Sequence, residues 1–238
     1  MIWPYFIWKN RNSKDFGIVI NDYPPIIRPK VKTTALNVPG RGGSLTKEEG
    51  EDIFEPIVKI VTCTLLKPEN INRVFDWLRG SGEVIFGNEP EYKYYARMDE
   101  QISLEKMYRY DTRRQFDVPF VCQPGKALVK EEEAITITQS GTRITNPGNM
   151  IALPKMEVTW ASGKESTLII GGSATAFKGI GTGAFVDCEI KECFNKDKSQ
   201  LINHVMVGEF LKIYPGEWSV SWTGGITKIL LTPNWRYL

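Results

Sequence analysis

Short apolar runs that end at glycine or proline recur along the whole sequence, and this feature most limits the possible folds. The 21 glycines and 14 prolines interrupt the chain every few residues, and aromatic residues make up 11% of it. Strands accommodate aromatic and β-branched residues well, whereas frequent glycine and proline break long helices. The sequence therefore predicts a mainly β protein.

One segment departs from this pattern and has the period of a helix. Its apolar residues at i, i+3, i+4 and i+7 are Ile71, Val74, Phe75 and Leu78. Pro68 precedes them and Gly80 follows them, which are typical start and stop signals of a helix. We expect one amphipathic helix whose apolar stripe packs on a sheet.

The remainder of the first half predicts strands and one hairpin. The predicted strands span residues 16–20, 53–66, 83–86, 92–98 and 115–122. Between the first two, the glycine-rich stretch 38–43 precedes the charged run 47–52. This combination predicts a hairpin whose long, solvated tip is the charged run.

The second half contains only strand-like runs, spaced as in a sandwich or barrel. They span residues 134–137, 156–160, 168–170, 184–190, 218–222 and 226–231. A length of 238 residues fits one large β-domain or two smaller domains, and we favour two. The charged run 130–133 is the best boundary, which predicts domains of residues 1–129 and 130–238.

Composition excludes several classes of protein. Hydrophobic residues at 42% and charged residues at 24% are typical of folded proteins. The excess of 30 basic over 28 acidic residues is too small to suggest specific nucleic-acid binding. The apolar start of the chain is short and interrupted by Pro4, so it predicts neither a signal peptide nor membrane association.

The cysteines and the single histidine are weak candidates for chemistry. The four cysteines are Cys63, Cys122, Cys188 and Cys193. They are too few for a disulfide scaffold and form no CxxC pair, so a metal site made of them is a weak alternative to four buried thiols in a reducing compartment. His204 leaves a Ser-His-Asp or Cys-His pair formally open, but no nucleophile elbow lies near it.

Two glycine-rich stretches and two groups of carboxylates complete the candidate sites. Residues 40–43 and 179–183 match neither phosphate-binding motif, so we expect turns. Asp99, Glu100 and the run 131–133 contain candidates for an acid/base pair of a glycosidase, a role that requires a defined carboxyl separation. Charge runs are usually solvated. We therefore expect no catalytic, cofactor-binding or metal-binding residues.

The tryptophans of the second half allow two interpretations. Trp160, Trp218, Trp222 and Trp235 could form a sugar-stacking platform or part of the core. Trp218 and Trp222 are four residues apart and so share one face of a strand. We favour the core. We also expect the end of the chain, 235–238, to be docked, because it is rich in large apolar side chains.

Ten short stretches, in their order along the chain, point to one family. They are SKDFGI at 13–18, VPGRGG at 38–43, WL at 77–78, EVIF at 83–86, YKYYA at 92–96, FVCQP at 120–124, TNPGN at 145–149, ALP at 152–154, YPGEW at 214–218 and PNWRYL at 233–238. Together they resemble the distal tail proteins of long-tailed, non-contractile bacteriophages. Gly42 stands where the family usually has an acidic residue.

This resemblance implies an architecture and a role. It implies an N-terminal β-barrel-like domain with one packed helix, related to tail-tube proteins, and a C-terminal galectin-like β-sandwich. It further implies a homo-hexameric ring at the tail tip of the virion, made in the host cytoplasm, that joins the tail-tube protein to tail-associated or baseplate proteins. The hairpin around 47–52 and the aromatic N-terminus would then contact neighbouring subunits.

Two other functions remain open from the sequence. A host-glycan-binding tail module would need exposed, clustered aromatic residues in the sandwich, and the 109 residues after Val129 leave little room for an inserted carbohydrate-binding domain. An enzyme would need an acid/base pair in a cleft.

Overall fold

The computed structural model describes residues 4–37, 39–40, 42–106, 112–130, 132–161 and 163–238. The chain divides into two compact units. The first ends at Val129, and the second spans Lys130–Tyr237. Strands dominate both, which confirms the predicted fold class. No helix among the described residues is long and apolar enough to cross a membrane.

The first unit is built on a curled, half-barrel sheet. Its strands are β1 (Phe6–Trp8), β2 (Arg11–Asn12), β3 (Ile18–Asp22), β4 (Thr33–Asn37), β5 (Ser44–Glu48), β6 (Ile57–Leu65), β7 (Gly80–Phe86), β8 (Tyr92–Met98), β9 (Glu105–Lys106), β10 (Arg114–Cys122) and β11 (Ala127–Leu128). The sheet runs in the order β2-β1-β7-β8-β10-β6-β3, with β9 paired to β10 and β11 to β8. Strands β4 and β5 form a separate hairpin.

The predicted helix is confirmed as α1 (Ile71–Trp77), which follows a 3₁₀ turn at Pro68–Asn70. Val74 and Leu78 are buried among the sheet residues, as expected. Phe75 instead stays 38% exposed, and Trp77 is buried in the cluster. Trp77 is favoured there because its ring stacks on two aromatic rings that the sequence pattern does not bring together, those of Phe6 and Phe16.

Two predictions for the first unit are wrong in detail. The first strand begins at Ile18, because Ser13–Phe16 form a 3₁₀ helix that ends at Gly17 with a φ of 72°. The hairpin exists, but its turn lies between the paired residues Asn37 and Ser44 and not in the charged run 47–52. Gly40 and Gly43, each with a φ of 79°, supply the left-handed conformations that a tight turn requires.

The second unit is a sandwich of two five-stranded antiparallel sheets. Its strands are β12 (Ile135–Ile137), β13 (Thr142–Asn146), β14 (Lys155–Trp160), β15 (Ser166–Ile170), β16 (Ser173–Phe177), β17 (Gly183–Asp187), β18 (Glu192–Asn195), β19 (Met206–Gly208), β20 (Gly216–Gly224) and β21 (Ile226–Thr232). One sheet has the order β12-β21-β14-β17-β18, and the other has the order β13-β20-β15-β16-β19. Side chains of both sheets form one buried cluster.

Alternation explains why most of these strands were predictable. In β14 every second residue is buried, namely Met156, Val158 and Trp160. The predicted strand 184–190 ends earlier, at Asp187, because the Asp187 carboxylate accepts the backbone N–H groups of Glu189 and Ile190 and so forms a turn. The short strands β13, β16, β18 and β19 were not predicted.

Candidate assembly surface

The described candidate catalytic residues are not assembled into a site. His204 lies exposed in a 3₁₀ turn, Asn203–Val205. Asp99 is exposed and pairs with Arg97, and Glu100 is exposed beside it. In the run 131–133, Glu131 lies outside the described residues, whereas Glu132 accepts the backbone N–H of Trp235 at 3.0 Å.

The four cysteines are free, buried and divided between the two units. Burial raises the pKa of Cys122 and Cys188 to about 12 and that of Cys193 to about 11. Burial raises the pKa of Cys63 as well. Within the described ranges, no group of three or more His, Cys, Asp or Glu residues could hold a metal ion. The thiols are core residues.

The described glycines of both stretches adopt turn conformations, as predicted. The next element after Gly43 is strand β5, and the stretch 179–183 leads into β17. Gly179 has a φ of 70°, and a Cβ there would overlap the backbone of Lys164. Close backbone approach and a positive φ therefore account for this glycine without a bound phosphate.

The tryptophans of the second unit belong to its core. Trp160 and Trp235 are 2% and 8% exposed, and Trp218 and Trp222 are half-buried against the same cluster. Trp218 also donates its indole N–H to the carbonyl of Tyr214 at 2.8 Å. These four residues form no exposed stacking platform.

A buried ion cluster lies inside the first unit. The Glu89 carboxylate accepts from Lys59 at 3.1 Å, from Lys126 at 2.8 Å and from the Tyr94 hydroxyl at 2.9 Å. Lys59 is 1% exposed and lies 4.6 Å from the centre of the Tyr94 ring. Burial alone would raise the pKa of Glu89, but the hydrogen bonds from Lys126, Tyr94 and Lys59 together lower it.

This cluster fixes the segment that leads from β3 to the hairpin. Lys59 Nζ lies 3.4 Å from the carbonyl of Pro25, and Asn88 donates to the carbonyl of Pro24 at 3.3 Å. The Tyr23 hydroxyl donates to the Tyr5 carbonyl at 3.1 Å. The chain therefore leaves the sheet at a fixed position.

The hairpin of β4 and β5, which we call the arm, projects into solvent. All ten of its strand residues are exposed. Ion pairs close its base: Lys30 Nζ lies 3.2 Å from Glu55, and Lys32 Nζ lies 2.8 Å from Glu49. Hydrogen bonding to Lys32 lowers the pKa of Glu49.

The arm has two different faces. Leu36 pairs with Leu45 across the hairpin, and Thr34 pairs with Lys47 two residues further along. These four residues form what we call the leucine face, since residues two apart point to the same side of a strand. Leu36 is 47% exposed and Leu45 40%. The opposite face carries only small or polar side chains, such as Ala35 and Thr46.

A second unpartnered surface lies on β6 and β10. Along these strands, one set of alternating residues is buried and the other faces outward. The outward residues, which we call the open sheet face, are Val58, Ile60, Thr62, Asp117, Pro119 and Val121. They form three cross-strand rows, Val58 with Val121, Ile60 with Pro119, and Thr62 with Asp117. Val58 and Ile60 are each 49% exposed.

A cavity adjoins the middle of this face. It has a volume of about 570 Å³, and its walls include Ile60, Pro119, Asp117 and Glu105. The cavity is open to solvent, and its lining combines apolar side chains with the carboxylates of Asp117 and Glu105 and with Lys106. Such a mixed surface can receive both apolar and polar side chains.

Comparison with known proteins identifies the architecture. No protein-family model matches the chain, and neither does any curated protein sequence. Among solved structures, the Dit protein (gp 19.1) of phage SPP1 matches with a TM-score of 0.72 and 15% sequence identity. The match covers 96% of this chain and 98% of the SPP1 protein. The chain has the Dit fold.

The Dit fold confirms the resemblance found in the sequence at the level of architecture. The SPP1 protein is described as a paradigm of the hub adsorption apparatus in phages that infect Gram-positive bacteria. The match includes both the curled sheet and the sandwich, because it covers nearly all of each chain.

Proposed function

We propose that this chain is a structural hub protein of a phage tail. In this proposal six copies form a ring at the tail tip, and the ring joins the tail-tube protein to tail-associated or baseplate proteins. The observation that carries the proposal is the Dit fold over both units of the chain. The protein would be made in the host cytoplasm and reside in the virion tail.

The surface of the first unit supports self-assembly. Two unlike surfaces, the leucine face and the open sheet face, are both exposed on one chain. An isolated two-stranded hairpin is marginally stable in water, and exposed apolar patches commonly mark interfaces. Contacts between unlike surfaces of identical subunits are head-to-tail and can close into a ring. We assign ring formation to a domain of residues 1–129 and treat residues 130–238 as a separate C-terminal β-sandwich domain.

The placement of the other candidates favours a structural role over glycan binding or catalysis. The tryptophans that would stack on a sugar are packed in the sandwich core. Among the described candidates for acid/base chemistry, Glu132 is engaged by the backbone of Trp235 and Asp99 by Arg97. A hub needs stable subunit contacts and no reaction centre.

Measurement of mass in solution tests the proposal. A ring of six 27.1 kDa chains has a mass of about 163 kDa, because the rotation between neighbours in a closed ring fixes the copy number. Native mass spectrometry and light scattering should find this species at micromolar concentration. A protein that is monomeric over the whole accessible concentration range would overturn the ring.

Binding measurements separate the hub from a glycan module. The hub proposal predicts no saturable submicromolar signal on an array of bacterial cell-wall glycans. It predicts retention of the recombinant tail-tube protein of the same phage by the immobilised ring. Strong glycan binding with no retention of tail proteins would replace the hub with the glycan-binding alternative.

A further inference from the structure

We propose that a gap in the curled sheet beside β10 binds an extended segment of a tail-associated protein, which adds to the sheet as a strand. We call this gap the β10 slot. It is bounded by residues 116–120 of β10 and by residues 101–104, which precede β9. The inference rests on the proposed function, because it names where the hub holds a partner of this class.

The two edges of β10 are paired to different extents. On one edge β10 pairs with β6 at all nine of its residues. On the other edge it pairs with β9 at 114–115 and with β8 at 121–122. None of the described strands pairs with 116–120 on this second edge. The sheet is therefore open along these residues, over a length of about 17 Å.

The chain on the far side of the slot runs beside β10 without bonding to it. Ile102 and Leu104 pack against the core of the first unit, whereas Gln101 and Ser103 are exposed. This alternation is typical of an extended chain. No backbone hydrogen bond between described residues joins 99–104 to β10. The cavity of about 570 Å³ lies between these two segments, because residues of both line it.

The ladder shows which backbone groups of β10 face the slot. Gln123, directly after β10, donates its N–H to the carbonyl of Tyr95 on β8 at 2.7 Å. Alternate residues of an antiparallel strand direct their N–H and C=O groups to the same side, so Asp117 and Pro119 direct theirs into the slot. Proline has no N–H and is tolerated where a strand has no partner. This edge therefore offers one donor and two acceptors to an added strand.

The side chains around the slot define the chemistry of the segment. Among the described residues that line the cavity, the carboxylates of Asp117 and Glu105 outnumber the single ammonium of Lys106. Asp117 is exposed and accepts from the Thr62 hydroxyl at 2.8 Å, which leaves lone pairs for a cation. Phe116 adds an apolar wall. We expect alternating side chains in the segment, with apolar ones toward Phe116 and a lysine or arginine opposite Asp117.

The two open edges of the slot favour a different protein over a second copy of this chain. A segment that bonds to both edges must have both of its own edges free. Each described strand of this chain is already paired with another strand, including the two strands of the arm. An unpaired segment therefore comes from another chain, and the hub proposal supplies tail-associated proteins as partners.

Hydrogen exchange at residue resolution tests the open edge and its occupation. The amide of Asp117 faces the slot, whereas that of Val118 faces β6. In the free protein the Asp117 amide should exchange at least about a hundredfold faster than the Val118 amide. The probe is a synthetic peptide of about seven residues, long enough to span the slot, in which valines alternate with threonines around a central lysine. Saturation with this peptide should slow the Asp117 amide at least about tenfold.

Two substitutions at one position separate backbone recognition from charge. Asp117→Ala removes the carboxylate and keeps the N–H, and it should weaken peptide binding several-fold. Asp117→Pro also removes the N–H that faces the slot, but not an N–H that bonds to β6, and it should weaken binding about tenfold more. Both variants should still form the ring. N-methylation of the peptide, applied to the unmodified protein, tests the same hydrogen bonds without any change in the fold.

Retention of a recombinant tail-associated protein of the same phage by immobilised rings tests the partner. The unmodified ring should retain this protein, and the Asp117→Pro ring should retain at least several-fold less. Equal retention by the two rings overturns the slot as the partner site and leaves the hub intact.

Three further outcomes also separate this inference from the proposed function. A slow Asp117 amide in the free protein, or a peptide that binds equally well after N-methylation, overturns strand addition and leaves the hub intact. Protection of Asp117 that rises with protein concentration, with no peptide present, assigns the slot to a second copy and overturns the inference. A protein that stays monomeric and retains no tail protein overturns both proposals.

Discussion

The two units of this chain differ in how much apolar surface they expose to solvent. Fifteen large hydrophobic residues are exposed among the described ones, and ten of them lie in the first unit. The first unit also extends the arm, whereas the sandwich closes its two sheets on one shared core. Proteins that act alone rarely expose contiguous apolar patches. The sandwich buries its apolar surface between its own two sheets, whereas the curled sheet leaves apolar surface exposed, as the proposed ring requires.

The two units also differ in how deeply their ion pairs are buried, and the first unit contains the more deeply buried pair. Lys59 and Glu89 in the first unit are 1% and 6% exposed in their side chains, and they hold the path of the chain toward the arm. In the sandwich, Lys155 pairs with Asp187 at 3.2 Å, but its side chain is 41% exposed. A fully buried pair contributes little net stability and is better explained as a means of fixing geometry. Here it contacts the chain at Pro25, in the segment between β3 and the arm.

The largest predicted loss of stability follows from removing the end of the chain, which packs on the sandwich. Trp235 is buried, and its backbone N–H donates to both carboxylate oxygens of Glu132. The Asn234 side chain donates to the carbonyl of Leu153. Deletion of 235–238 should lower the free energy of unfolding by at least about 3–5 kcal/mol, the usual cost of removing a buried tryptophan. Urea unfolding of the full chain and of the deletion variant measures this.

A glycine provides a check on the same contact. Gly148→Ala should also destabilise the sandwich, because its Cβ would overlap the carbonyl oxygen of Arg236. Gly42→Ala, where a Cβ meets nothing within 4 Å, is the matched control. If the variant that lacks 235–238 were as stable as the full chain, the terminal residues would not stabilise the sandwich.

The next largest effect is expected at the ion cluster of the first unit. Glu89→Gln leaves Lys59 buried without a counter-ion, which typically costs about 3–5 kcal/mol. Lys59→Met combined with Glu89→Gln should recover much of this loss, since the amide still accepts from Lys126. Hydrogen exchange of peptides from β6 and β10 reports the stability of this unit separately from the sandwich.

Glu89 also makes the stability of the first unit depend on pH in the acidic range. The pKa of Glu89 is below its ordinary value of 4.5 in the folded protein. Its contribution to stability is therefore complete above pH 4.5 and is lost as the pH falls through the lowered folded value. The stability of the first unit should fall more steeply below pH 4.5 in the unmodified protein than in Glu89→Gln. Parallel pH curves would contradict this assignment.

Much of the fold could be predicted from sequence because the local signals agree with the tertiary structure. The predicted strand 92–98 is β8, and the predicted helix contains α1. In these elements the period of the apolar residues is also the period of burial. The second strand of the hairpin was misplaced because Lys47 and Glu48 resemble a loop by charge, although they lie in β5. Turn glycines were the better signal there.

The candidate surface could not be predicted in the same way. Val58 and Ile60 are apolar residues in a strand rich in β-branched residues, so the sequence alone gives no reason to place them outside the core. Only the register of β6 with β10 shows that they share an exposed face with Pro119. The buried ion cluster escaped prediction because Lys59, Glu89 and Lys126 are far apart in sequence.

A smaller difference in stability is expected between two tryptophan substitutions, one in each core. Trp77 donates its indole N–H to the carbonyl of Trp8 at 3.1 Å, and Trp8 donates to the carbonyl of Trp77 at 3.0 Å. The buried indole N–H of Trp160 has no partner in the described part of the chain. Trp77→Phe and Trp160→Phe remove the same atoms. Trp77→Phe should cost about 1–3 kcal/mol more, because it leaves a buried acceptor without its donor.

Urea unfolding with hydrogen exchange as the local probe compares these two variants. The loss for Trp77→Phe should be confined to peptides of the first unit, and the loss for Trp160→Phe to peptides of the sandwich. Similar losses for the two variants would mean that the reciprocal hydrogen bonds of Trp8 and Trp77 contribute nothing measurable.

The smallest effect on stability is expected from the arm, although it carries the contact proposed between copies. Replacement of 34–47 by a short glycine-serine turn removes residues whose strand side chains are all exposed. It leaves the ion pair of Lys30 with Glu55 in place. Removal of exposed residues changes stability by about 0.5 kcal/mol or less, and shortening a surface loop has a small entropic effect. The armless monomer should therefore unfold at the same urea concentration as the monomeric fraction of the full chain. It should form no ring. An armless protein that still assembles would remove the arm from the contact, and one that unfolds early would show that the arm belongs to the core of the first unit.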